Sequence, residues 1–136
     1  MRFACAILVI ALAQSANAQQ QGTTITLACN GTAKLTATAA ADMKPDTVTN
    51  LGIIVDIAGR TVTVMDYVTP IRGITATNVS FSGQQSGVIS GVSLKPFTIS
   101  GSIDRVTGHT TIDWSYSNVG DNSAWELTCR PATRLF

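Results

Sequence analysis

Charge is scarce in this chain. Nine Lys and Arg and eight Asp and Glu among 136 residues leave a net charge of +1, and the basic residues do not cluster. A nucleic-acid-binding surface needs a basic patch to neutralise phosphates, so that partner class is not expected, and an anionic membrane surface is disfavoured on the same ground. Histidine is rarer still, since His109 stands alone. A hydrolytic triad has one candidate base, and a zinc site lacks ligands. No G-x-S-x-G, H-E-x-x-H or phosphate-loop motif occurs. Aromatic residues make up 6% of the chain, too few for the two girdles of an outer-membrane barrel. The length also barely allows eight strands of the ~9–11 residues that crossing a bilayer takes. An integral membrane protein is not expected.

What is present begins with a leader. Met1-Arg2, an apolar run from Phe3 to Ala13 and then Ala16-Asn17-Ala18 have the three parts of a secretory signal peptide. The predicted signal peptide covers 1–18, and a single β-domain covers 19–136. Removing 18 of 136 residues leaves 118, a usual size for one domain, and loss of Arg2 brings eight basic residues into balance with eight acidic ones. Cys5 lies upstream of the cleavage point, so this is not a lipoprotein leader. Cys29 and Cys129 remain, an even pair in an exported chain, and a disulfide between them is predicted. A loop of roughly 100 residues gives such a bond a chain-entropy value of about 4.7 kcal/mol. No cofactor or metal is expected.

The rest alternates as half-buried strands do. Ile25, Leu27 and Cys29 share a face, and Asn30-Gly31 is a hairpin signal; a three-residue loop over 30–32 keeps apolar partners together. Residues 38–50 lose the alternation and read as a loop around Pro45, after a possible helical turn at the alanines 39–41. Ile53, Val55 and Ile57 face Val62 and Val64 across a two-residue Gly59-Arg60 turn, with Pro70 ending the second arm. Val79 and Phe81 alternate, 83–87 is a polar turn, and Val92 and Leu94 lead to a break at Lys95-Pro96. The central hairpin puts Phe97, Ile99, Gly101 and Ile103 on one face and Ile112, Trp114 and Tyr116 on the other arm. A four-residue loop over 105–108 matches the faces, with Gly108 supplying positive φ. A last turn over 118–122 precedes Trp125, Leu127 and Cys129, and Pro131 ends that strand.

The fold class is therefore all-β: an antiparallel meander of about eight or nine strands, a small barrel or a flattened sandwich. Leu27-x-Cys29 and Leu127-x-Cys129 bring first and last strands together, so neither remains an open edge.

Chemistry is sparse. Asp104 lies across the central turn from His109, which suits an exposed ion pair better than a shielded catalytic dyad. Asp56, Asp66, Asp113 and Glu126 face outward by parity, and Asp121-Asn122 offers too few oxygens for calcium. Asn30-Gly31-Thr32 and Asn78-Val79-Ser80 fit the glycosylation pattern. Trp114, Tyr116 and Trp125 have two readings: core filling for one barrel end, or a ligand platform at a barrel mouth.

Leu27-Ala28-Cys29-Asn30-Gly31-Thr32, Val79-Ser80-Phe81-Ser82-Gly83, the segment from Gly101 to Gly108 and Leu127-Thr128-Cys129-Arg130-Pro131, with Arg134-Leu135-Phe136, resemble small exported proteins of rhizobia-like alphaproteobacteria. That resemblance brings no activity with it. More loosely, the chain is similar to the periplasmic inhibitors of C-type lysozyme, which are small β-barrels with an early and a late cysteine. Here Ser82-Gly83 continues as Gln-Gln-Ser-Gly, without the tyrosine of the loop those inhibitors insert. The expected function is a non-enzymatic β-domain of the periplasm or the secreted fraction, structural or partner-binding, with an envelope protein or glycan as possible partner. The alternative is an envelope inhibitor or a small-ligand-binding barrel.

Overall fold

Alternation of β-branched and aromatic residues with Thr, Ser and Asn builds ten strands in the computed structural model, which describes residues 24–36, 42–89, 91–93, 95–116 and 122–132. They are β1 (Thr24–Leu35), β2 (Asp46–Asp56), β3 (Thr61–Val64), β4 (Tyr67–Ile74), β5 (Asn78–Gln85), β6 (Val88–Ile89), β7 (Val92–Ser93), β8 (Phe97–Asp104), β9 (His109–Tyr116) and β10 (Ser123–Pro131). Eight of them close into an antiparallel barrel in the order β1-β10-β9-β8-β5-β4-β3-β2, while β6 and β7 pair only with each other. The leader, the alanines 39–41, most of the 118–122 turn and the Arg134-Leu135-Phe136 end lie outside the described residues.

Closure rests on β1 and β10. Cys29 stands directly opposite Cys129, and their sulfurs are bonded at 2.02 Å across a separation of 100 residues. The Cys129 N–H donates to the Gly108 carbonyl at 2.8 Å, on the β9 side. The cysteines therefore form a non-hydrogen-bonded pair, the arrangement in which facing side chains come closest. Inward-facing residues fill the barrel: Ile53, Val64, Phe81, Ile99, Ile112 and Leu127 are almost wholly buried. Two inward threonines keep their hydroxyls satisfied. Thr110 Oγ1 donates to the Gly108 carbonyl at 3.2 Å, and Thr69 Oγ1 accepts from Gln85 Nε2 at 3.3 Å.

The central hairpin forms as its pattern predicts, with Ile99 opposite Trp114, Ile103 opposite Thr110 and Gly108 at φ 76°. Elsewhere the chain departs from the local signals. Asn30-Gly31 makes no turn, because β1 runs straight through it and pairs on both sides, with β10 and β2. Gly31 is required by close packing instead: a Cβ there would strike the Glu126 carbonyl oxygen and come within 2.8 Å of Leu127 Cα. Asn30 Oδ1 accepts the Asn50 N–H at 2.9 Å.

That bond marks a β-bulge. Cys29 pairs with Leu51 and Gly31 with Val48, so Thr49 and Asn50 together oppose Asn30, with Asn50 left-handed at φ 52°. Val48 and Leu51 both pack against the core although three residues apart. The bulge resets the period of two, which is why a strand starting at Asp46 reads as a loop.

The β4 strand repeats the device. Its pairing with β5 slips between Ile71 and Gly73, and both Ile71 and Ile74 reach the core. Pro70 does not stop this arm; it sits inside β4, opposite Thr61. Since the Ile71 N–H donates to the Arg60 carbonyl at 2.8 Å on the β3 side, a donor at position 70 would face β5. Proline has none, and the Ser82 carbonyl accepts from Arg72 Nε at 2.8 Å instead.

Two turns are also corrected. Val55 pairs with Val62 and Asp56 with Thr61, leaving a four-residue turn over 57–60 rather than Gly59-Arg60 alone. Asp56 Oδ1 accepts the Gly59 N–H at 2.9 Å, and Arg60 takes the left-handed conformation at φ 53°. The next reversal is Met65-Asp66, between paired Val64 and Tyr67, with Met65 at φ 55°. No Gly or Asn announces it. Finally, β5 extends through Gln85 into the expected 83–87 turn, and the strand expected at Val92 is only the two-residue β7.

Two outcomes test this packing. Replacing Cys29 and Cys129 together by Ala is expected to lower unfolding stability by about 2–5 kcal/mol in urea titrations. At Gly101, an added Cβ would meet the Thr111 carbonyl and lie 2.5 Å from Phe81 Cζ. Gly101→Ala is expected to cost about 1–3 kcal/mol by overpacking, with partial recovery in the Gly101→Ala/Phe81→Leu double variant.

Candidate functional site

The up-and-down order sorts the side chains between two barrel ends. One end carries the turns 57–60, 75–77 and 105–108; the other carries the Met65-Asp66 turn and the segment that holds β6 and β7. Each end has a cavity, and their walls differ in chemistry.

At the first end, a cavity of about 310 Å³ is walled by aliphatic side chains, among them Leu27, Val55, Val79 and Ile103, beneath the β8–β9 turn. The turn is pinned on both flanks. Arg105 donates from its backbone N–H to the Thr77 carbonyl and from Nη1 to the Thr75 carbonyl, each at 2.8 Å, and the Gly108 carbonyl holds Cys129. Asp104 Oδ1 accepts from the Val106 and Thr107 N–H groups at 2.8 and 2.9 Å. These bonds favour the ionised form, so the Asp104 carboxyl titrates below its ordinary value, chiefly through Thr107 and Val106, with His109 contributing least. The carboxylate expected to pair with His109 thus serves the backbone of its own turn, and His109 is exposed.

At the second end the aromatic residues converge. Phe97 stacks on Trp114 with ring centroids 5.8 Å apart and an interplanar angle of 23°. Tyr67 meets both edge-on, at 5.2 Å from Phe97 and 5.7 Å from Trp114. Tyr116 leans over Phe97 at 5.2 Å, and Trp125 over Trp114 at 5.5 Å. Burial is graded across the cluster: Phe97 and Trp114 belong to the core at 2% and 6% exposure, Tyr67 and Trp125 are half-buried, and Tyr116 is 40% exposed. Tyr67, Trp114, Tyr116 and Trp125 line an open cavity of about 580 Å³, with Leu35 and Met65 at its rim and Ser123 as its remaining wall residue. Among the described residues no charged side chain lines it.

Trp114, Tyr116 and Trp125, singled out by their spacing, do come together, and Trp114 serves as core and cavity wall at once. Tyr67 and Phe97 complete the group. Tyr67 escapes a reading of the sequence because nothing in Val64-Met65-Asp66-Tyr67 advertises a turn; only the β3–β4 register brings its ring to this end. The two indoles differ in hydrogen bonding. Trp125 Nε1 donates to Ser123 Oγ at 2.7 Å, whereas Trp114 Nε1 is buried without a partner among the described residues.

The outward carboxylates stay dispersed, and among the described residues no group of three or more His, Cys, Asp or Glu side chains assembles to hold a metal. Asn30 and Asn78 use their side chains in bonds to the Asn50 N–H and, at 3.1 Å, to Ser102 Oγ. Comparison with protein-family models, curated proteins and solved structures finds no match.

Asp104 gives a pH test. Its native value lies below the unfolded value of about 3.9, so the folded state binds fewer protons between the two and its stabilising contribution is complete above the unfolded value. It is lost as pH falls through the native value. The urea-midpoint gap between wild type and Asp104→Asn is expected to be constant from neutral pH to about 5 and to narrow below about pH 4.

Proposed function

We propose that this chain is a non-enzymatic, exported binding barrel that takes a small ligand in its aromatic end. The observation that carries this reading is the open cavity of about 580 Å³ bounded by Tyr67, Trp114, Tyr116 and Trp125. Its volume falls in the range of small-molecule sites, and such sites are mostly apolar with a few placed polar groups. Exposed Leu35, Met65 and Tyr116 at the rim add apolar surface that water covers poorly.

Three features support the remaining parts of the proposal. The disulfide fits an oxidising compartment and so accords with the leader pattern, with the periplasm or the secreted fraction as destination. The outer faces of the barrel strands are mostly Thr, Ser and charged residues around an apolar interior, the inverse of a membrane-spanning barrel. Among the described residues no helix is long and apolar enough to cross a bilayer. Against an enzyme stand the occupied carboxylate of Asp104 and the exposed position of His109.

Tryptophan emission of the oxidised chain, titrated with neutral aromatic compounds and with glycans, checks the reading. A saturable shift with one class, weakened at least tenfold in Trp125→Ala, is expected. Absence of any response, or stoichiometric inhibition of a C-type lysozyme that Trp125→Ala leaves intact, would move function away from this end.

A further inference from the structure

We infer that the ligand of the aromatic end is an uncharged flat ring bearing a hydrogen-bond acceptor, which it delivers to Trp114 Nε1; this rests on the binding role proposed above. Trp114 is 6% exposed, and its indole N–H is buried with no acceptor, while Trp125 in the same wall has Ser123 Oγ. A buried donor left unpaired is costly, and neighbouring ring faces are at best weak acceptors. A ligand acceptor that reaches this N–H removes that cost and gains a hydrogen bond in a setting of low dielectric.

The same N–H sets the sign of the ligand. Aromatic cages attract cations through their ring faces, but an unpaired donor repels a cation and calls for a lone pair. Among the described residues the wall offers an anion no Lys or Arg. A neutral acceptor remains. Flatness follows from the walls: Tyr67, Trp114, Tyr116 and Trp125 supply most of them, with the two indoles tilted by 37° to each other, so aromatic surface rather than polar side chains dominates the contacts available. A glycan, which needs many hydroxyl partners, finds only the Tyr67, Tyr116 and Ser123 hydroxyls among the described wall residues.

The nitrogen is enclosed, so access needs one ring to move. Tyr67 is the ring placed to do so. It is half-buried, it meets Phe97 and Trp114 edge-on, and it follows directly on the Met65-Asp66 turn at the exposed rim. Trp125 is tethered through Ser123.

The chain has two tryptophans, so a nitrogen-15 spectrum carries two indole N–H signals, which Trp125→Phe assigns. Naphthalene and quinoline at neutral pH are matched in size, and only quinoline carries an acceptor. Quinoline is expected to bind about tenfold more tightly, the ratio that roughly one gained hydrogen bond represents, and to move the Trp114 signal downfield. Trp114→Phe is expected to erase the preference while naphthalene still binds; if that variant does not fold, the wild-type signal decides. Equal affinities with an unmoved Trp114 signal, or tighter binding of tetramethylammonium, would overturn the inference and leave the binding role standing. Binding of neither ring overturns the inference, and the binding role falls with it only if glycans also leave the tryptophan emission unchanged.

Discussion

The pairing of β1 with β10 is the constraint on which the other features depend. An antiparallel sheet of eight strands left open would present two edges of unpaired backbone groups and an apolar face with nothing to cover it. Joining the ends turns that face inward on itself, so each strand packs across the interior against strands far away in sequence. The disulfide sits within this seam, at a non-hydrogen-bonded pair, and holds together two strands that no short turn connects. Its position two residue pairs from the close approach of Gly31 to β10 shows how tightly the seam is packed.

Closing a sheet of this size needs local curvature, and two bulges supply irregularity where β2 and β4 bend. Both are stabilised by side chains acting on backbone. Asn30 accepts the N–H of left-handed Asn50, and Arg72 serves the carbonyl that Pro70 leaves without a donor. Each bulge also changes which residues face in. Leu51 and Ile74 reach the core only because an extra residue has been absorbed before them.

The alternating up-and-down path then sorts residues by their place along each strand. Early residues of β4 and β8 and late residues of β9 meet at one end, which gathers Tyr67, Phe97, Trp114 and Tyr116, with Trp125 near the start of β10. The opposite end receives aliphatic residues and the turn held by Asp104. A protein with few aromatic residues has placed most of the described ones in a single cluster, and that concentration distinguishes this end chemically.

The sequence by itself determined the fold class, the inward face of each regular strand, the cysteine pairing and the 105–108 turn of the central hairpin. These depend on alternation, on even cysteine count and on a glycine whose φ is set locally. Only the tertiary structure decided that Asn30-Gly31 continues a strand, that Pro70 is tolerated within β4, that Met65-Asp66 reverses the chain and that Tyr67 joins the aromatic end. The first two of those outcomes depend on a contact outside the local segment: the Glu126 carbonyl and Leu127 against Gly31, and Arg72 donating to the Ser82 carbonyl opposite Pro70. Local pattern fixes which side of a strand a residue occupies. Long-range contacts fix where that pattern is interrupted, and the interruptions shape the barrel and its mouth.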